Sequence, residues 1–433
     1  GTDEEVVQAL LQSAAQTSFV FDGYLATYVE SRVASNPPPV EPEACQRLFP
    51  MQDAWIGGAK QFLVLLGSGG SGKTSATLAA MSQLASKATA FAVFVPLPQV
   101  AGLLSDEKGR LDAHVLSVLE CTPQQIQLLH QKRRVVLFLD SLDEVGELPL
   151  QRLELGVLHS NPIASSLRVV MSSRDEVLTQ VKPPTAALVG KSIEALVRCL
   201  LQYVQPFTED DVSNYVANRV AAAVAAARLK KEPEETVIKP EAAAALVRSY
   251  GLESEVLHHP VTLSMLLALV CGKAPPTALA SKAQLYDSYV RQHVSGTLPS
   301  AEADAREDAM ETALVCLARV ALEMLQRGRW LMTVEDVVRW GGPEALRCAP
   351  SRVEDSEDPK SNFSWWHKSI GEYLCARHFF RDPKDALART QDACWSLHGP
   401  VVLQFFAQLC DGDGAGAAAS IGELVAQVSR AGD

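Results

Sequence analysis

An apolar run, FLVLL at residues 62–66, ends in Gly67-Ser68-Gly69-Gly70-Ser71-Gly72-Lys73-Thr74, and SATLAAMSQLAS follows at 75–86. Few folds accommodate that order. The octet fits G-x-x-x-x-G-K-[ST] at every fixed position, with the strand before it and the helix after it that the motif needs. Glycines let the backbone wrap a phosphate with its N–H groups turned inward, and the helix N-terminus adds positive potential. Gly67, Ser68, Gly69, Gly70, Ser71, Gly72, Lys73, Thr74 and Ser75 are therefore the candidate phosphate contacts. Lys73 can reach β- and γ-phosphates, and the Thr74 hydroxyl can ligate Mg²⁺. An accidental match is expected in about one chain in a hundred of this length, and the strand–loop–helix context lowers that further.

Four more apolar runs follow at helix-length intervals: AFAVFV (90–95), VVLFL (135–139), LRVVM (167–171) and LLQYV (200–204). Continuous apolar runs alternating with helical stretches indicate parallel strands buried on both faces. The expectation is an α/β P-loop NTPase core with a parallel five-stranded sheet.

The third run ends in Asp140-Ser141-Leu142-Asp143-Glu144. An Asp at the tip of a strand neighbouring a phosphate loop lies where the Mg²⁺ shell forms, so Asp140 is the candidate metal carboxylate, acting through water. Asp143 and Glu144 stand just beyond the strand, where a carboxylate can orient the water that attacks a γ-phosphate. Their alternative reading is acidic capping of the next helix. The fourth run ends in Ser172-Ser173-Arg174. Arg174 can sense a γ-phosphate from there, or form a surface ion pair.

Elsewhere the pattern is helical. Residues 5–33 carry apolar positions at helical spacing, and NPPPVEP (36–42) ends that unit as a stiff connector. Ala-rich helical stretches run from Glu209 to Ala274, a further helical region from Lys282 to Phe380 holds the acidic loop 353–360, and 383–433 are again helical. The domains expected are a helical segment and linker (1–50), the nucleotide-binding domain (51–205), a helical domain (206–280), a third domain (281–381) and the start of a second helical domain (382–433).

Composition narrows the function. The chain has 433 residues, 47% hydrophobic and 21% charged, enough to bury sizeable cores. A formal charge of −12 argues against non-specific binding to nucleic acid or an anionic membrane. There is no apolar run long enough for a membrane span. Nine scattered cysteines without a Cys-x-x-Cys pair read as reduced cytosolic thiols, placing the chain in the cytoplasm. Without an initiator Met or a signal-peptide pattern, and stopping at Ala431-Gly432-Asp433, the sequence reads as a piece of a longer chain.

The form Asp140-Ser141-Leu142-Asp143-Glu144 after an apolar strand resembles that of NACHT domains, the signal-transduction ATPases of NOD-like receptors. FVPLPQV (94–100), PFTEDDVSNYV (206–216) and WWHKSIGEYLCARHF (365–379) are similar to further family segments, in the right order over about residues 52–410. The resemblance makes 281–381 a winged-helix domain. It also implies that Pro260, in HHPVTLSMLL (258–267), packs near an adenine, and that His367 contacts the β-phosphate of ADP and holds a closed state. His367 is otherwise a packed core residue. Ser68 stands where the family often has an acidic residue, and Cys375 where Ala is commoner.

The function implied is a slow Mg²⁺-dependent ATP hydrolase acting as an ATP/ADP switch, which opens and self-associates in signalling, with a repeat sensor beyond Asp433 and effector partners. An immune role follows from the family alone. A cycling motor of the AAA+ kind would need an arginine finger and a pore loop, and neither is identified. A non-hydrolysing scaffold is disfavoured by the intact Lys73, Thr74, Asp140, Asp143 and Glu144. Guanine specificity is not expected, since no Asn/Thr-Lys-x-Asp sequence follows at the right distance.

Overall fold

The computed structural model describes residues 27–38, 40–87, 90–100, 122–132, 134–144, 167–175, 199–230, 239–252, 254–271, 276, 278–298, 303–353, 355–382 and 395–411. The chain divides into two compact units, Gly1–Val237 and Ile238–Asp433.

The first unit is built on β1 (Arg32–Ala34), β2 (Gln46–Arg47), β3 (Phe62–Leu66), β4 (Ala90–Pro96), β5 (Arg134–Asp140), β6 (Leu167–Ser173) and β7 (Cys199–Val204). Among the described residues these form one mixed sheet of order β2-β1-β7-β3-β6-β5-β4. The five apolar runs supply its parallel part, β7-β3-β6-β5-β4. β3 lies inside and all five of its residues are buried, as an unbroken apolar run requires.

Two features differ from the sequence expectation. The sheet has seven strands, because β1 pairs antiparallel with β7 (Val33↔Val204, Ala34↔Tyr203) and β2 with β1. Residues 32 and 33, the end of the stretch expected to be helical, thus belong to a strand. Three residues are too short for alternation to outweigh the helical spacing before them; residues 27–31 of that stretch are not helical either, and 5–26 lie outside the described residues. Second, β5 is not the neighbour of β3, because β6 stands between them.

Helix α1 (Leu48–Gly57) buries Leu48, Met51 and Trp55 in the same core as Leu63, Leu65 and Leu84. Gln52 Nε2 donates to Ala80 O (3.1 Å) on α2 (Lys73–Ser86). Further helices of this unit are α3 (Pro123–Lys132) and α4 (Glu209–Lys230). α4 opens with a reciprocal cap: Asp211 N–H donates to Thr208 Oγ1 (3.2 Å) and Thr208 N–H to Asp211 Oδ2 (2.9 Å). Arg32 and Arg47 both pair with the same carboxylate, at 3.3 and 3.2 Å. Burial alone would raise the Asp211 carboxyl, but the Thr208 bonds and Arg47 outweigh it and hold it below its ordinary value. α4 groups with the first unit.

The second unit contains α5 (Pro240–Ser249), α6 (Ser254–Leu257), α7 (Pro260–Val270), α8 (Lys282–Thr297), α9 (Ala303–Gln326), α10 (Val334–Cys348), α11 (Lys368–Arg381) and α12 (Trp395–Asp411). Its residue pattern reads as helical throughout, yet β8 (Leu331–Thr333), β9 (Ser351–Val353) and β10 (Asn362–Trp365) form an antiparallel sheet of order β8-β10-β9. Gly342, at φ 74°, precedes Pro343 and kinks α10. Tyr286 and Tyr373 pack on Phe405 at ring distances of 4.8 and 5.7 Å.

An ion cluster ties α8, α9 and α11 together. Glu311 accepts from Arg291, Arg377 and Arg381, while Tyr373 donates to Asp287 (2.6 Å). Burial would raise the Glu311 carboxyl, but hydrogen bonds and charge from Arg377 and Arg291 pull it down to about 2. A depressed carboxyl adds stability that is fully present above its unfolded value and is lost as pH falls through the folded one. Glu311→Gln is therefore expected to cost about 2 kcal/mol at pH 7. It should also flatten the loss of stability between pH 4.5 and about 2, the model and folded values of this group. Urea midpoints at pH 7 and pH 3 check both; equal midpoints for the two proteins at pH 7 would remove the cluster from the stability of this unit.

Candidate functional site

A parallel sheet puts every strand's C-terminal end on one side, so the loops after β3, β5 and β6 emerge together. The loop after β3 is Gly67–Gly72. Gly70 and Gly72 have φ of 87° and 91°, conformations that side chains disfavour, and Gly72 is the N-cap of α2. Lys73 folds back over the loop and donates from Nζ to Gly67 O (2.7 Å) and Ser68 O (2.9 Å). Thr74 and Ser75 follow in the first turn of α2.

Asp140 is buried at the end of β5 and receives three hydroxyls. Thr74 Oγ1 donates to Oδ2 (2.8 Å), Ser141 Oγ to Oδ2 (3.1 Å) and Ser172 Oγ to Oδ1 (2.6 Å). Burial raises the Asp140 carboxyl above its ordinary value; the bonds from Ser172, Thr74 and Ser141 oppose it. The Thr74–Asp140 contact is the one the motif requires, and it forms across the intervening strand.

Ser172 is the residue that the sequence reading passed over. Besides holding Asp140, its Oγ accepts from Ser141 N–H (2.9 Å). Ser141 has φ 62°, unusual for a residue with a β-carbon, at a cost of roughly 1–2 kcal/mol. Ser172 thus ties down both the carboxylate and the strained turn after it. Its signal was the change from apolar LRVVM to Ser-Ser, just past the pair Leu139↔Met171.

Asp143 and Glu144 sit in a short 3₁₀ turn, Leu142–Glu144. Asp143 is buried against Arg174: Arg174 Nε lies 3.2 Å from Oδ2, and Arg174 N–H donates to Oδ1 (3.1 Å). Arg174 is buried too, so its pairing is internal rather than at the surface. Glu144 is half-buried.

The remaining two candidates belong to the second unit. Pro260 occupies the first turn of α7. His367 is the N-cap of α11, where Ser369 N–H donates to its Nδ1 (3.2 Å). Ser369 Oγ lies 2.6 Å from the same nitrogen and 2.7 Å from the Tyr286 hydroxyl. An accepting Nδ1 leaves the proton of the neutral ring on Nε2.

The donor set suits Mg²⁺ and a nucleotide phosphate. Mg²⁺ is held by one or two carboxylates together with water and substrate oxygens, and Thr74 and Asp140 present hard oxygens beside the loop. Among the described residues there is no cluster of three or more His, Cys, Asp or Glu that could hold a metal ion, and no helix long and apolar enough to cross a membrane.

The sheet, the glycine loop and the acidic strand end together define a P-loop arrangement. No family model matches the chain, and no curated protein does. Similar solved structures include a Signal Transduction ATPase with Numerous Domains (STAND) protein with a tetratricopeptide repeat sensor from Pyrococcus horikoshii. It shows 13% identity and a TM-score of 0.33, over 87% of this chain and 49% of that one. PCH-2 of C. elegans matches at 14% identity and TM-score 0.30, over 57% of this chain and 65% of that one. ORC1 of Aeropyrum pernix, solved in complex with DNA, matches at 14% and 0.32, over 78% of this chain and 92% of that one. The chain thus spans less than two thirds of the first two proteins. Likeness at this level carries no assignment of function.

Proposed function

We propose that the chain is an ATP/ADP-dependent switch of the NACHT type, which binds Mg²⁺-ATP at Gly67–Thr74 and hydrolyses it slowly. The observation that carries this reading is the 2.8 Å contact between Thr74 and Asp140 beside a glycine loop of the required conformation. Loop N–H groups and Lys73 would hold the phosphates; Thr74 and Asp140 would hold Mg²⁺, which would supply neutralisation of phosphate charge there. Arg174 reads the γ-phosphate, and Glu144 orients the attacking water. Winged-helix character for 281–381, the Pro260 and His367 contacts with nucleotide, self-association, and sensor and effector partners come from the sequence resemblance.

Lys73→Ala should weaken ATP binding by at least about tenfold, the effect of losing a charge-assisted hydrogen bond, with the fold kept. Calorimetric titration of Mg²⁺-ATP into both folded proteins tests this; matching affinities would remove nucleotide from the site. Mass spectrometry of the nucleotide released from purified protein identifies the base and phosphate count.

A further inference from the structure

Both carboxylate oxygens of Asp143 contact Arg174. Its Oδ1 accepts the Arg174 backbone N–H (3.1 Å) and its Oδ2 lies 3.2 Å from Arg174 Nε. A carboxylate gripping a residue at backbone and side chain together restricts the torsions between them. The guanidinium so held lies against the phosphate loop. A β-carbon at Gly69 would sit 3.1 Å from Arg174 Cζ, 3.2 Å from Nη2 and 3.4 Å from Nη1. A side chain at Gly69 would thus crowd the guanidinium more closely than an ordinary van der Waals contact. The planar fork turned toward Gly69 suits paired hydrogen bonds to a phosphate.

We propose that Asp143 is a positioning residue that aims Arg174 at the γ-phosphate, and is not the group that activates water. This rests on the reading that the loop binds ATP and that Arg174 senses its third phosphate. Gly69 belongs to the same device: a side chain there would force the guanidinium to give by a few tenths of an ångström. Of the acidic pair expected to act on water, Glu144 alone is then left to do so.

The test is a double-mutant cycle in the full chain, read as the preference for a non-hydrolysable ATP analogue over ADP, both with Mg²⁺, by calorimetry. Arg174→Ala should reduce that preference about tenfold or more. Asp143→Asn should reduce it to the same degree, and the double variant no further. An Arg174→Ala variant with unchanged preference overturns the γ-phosphate role of Arg174, and with it the aiming. A variant pair in which Arg174→Ala loses the preference while Asp143→Asn keeps it overturns the aiming alone, most plainly if Asp143→Asn still loses turnover. Asp143→Glu retains the charge and leaves no orphaned guanidinium, so it gives the same reading should Asp143→Asn not fold. A displaced carboxylate with lost preference supports the proposal, and kept preference overturns it.

Discussion

Glu144→Gln should lower ATP turnover by roughly 10²- to 10⁴-fold, the usual contribution of a positioned general base, while ATP stays bound. The amide keeps the size of the side chain but not its charge. The variant should therefore be recovered with more ATP and less ADP than the unaltered protein. Single-turnover hydrolysis and the nucleotide content of the purified variant measure the two effects. Loss of ATP binding together with turnover would make Glu144 a structural residue of the 3₁₀ turn.

His367→Asn should leave the second unit stable yet speed ADP release. The structure decides which substitution is informative here. Leu would remove the acceptor that caps α11, typically at a cost of about 1 kcal/mol, and so confuse two effects. Asn is among the best capping residues and can still accept from Ser369 N–H, but it lacks the distal Nε2–H. If that N–H donates to the β-phosphate, its loss is worth about 1.5–3 kcal/mol, or roughly 10- to 150-fold in release. Stopped-flow displacement of a fluorescent ADP reads the rate, and thermal unfolding reads the cap. An unchanged rate in a fully stable variant would reduce His367 to a helix cap.

What could be read in advance was local. A backbone that wraps a phosphate needs glycine at particular steps and a lysine and threonine directly after, so Gly67–Thr74 was legible from spacing alone. The five parallel strands were legible for a similar reason, since burial on both faces leaves an unbroken apolar run. Contacts between strands were not. That Ser172 holds Asp140 depends on β6 standing beside β5, and no spacing along the chain encodes which strands are neighbours. The Asp143–Arg174 pair joins residues from two strand ends, and each read alone as a generic charge. β1 and β2 are too short to display a period, and β2 is exposed, so no hydrophobic signal marks it. The small sheet of the second unit was hidden in the residue pattern because three- and four-residue strands are lost among long helices.

The pairing of β1 with β7 bears on how self-association is to be measured. Proline density makes the stretch before residue 50 an inviting place to cut, and a fragment begun there would retain the phosphate loop and its metal ligands. It would also lack β1, leaving one side of β7 as a bare row of N–H and C=O groups at the margin of a parallel sheet. Such a margin recruits strands from other molecules. The fragment would aggregate by strand addition whichever nucleotide it held, and that association would be mistaken for the activated state. Oligomers that form equally with ADP and ATP, and that vanish when residues 27–50 are restored, would betray the artefact.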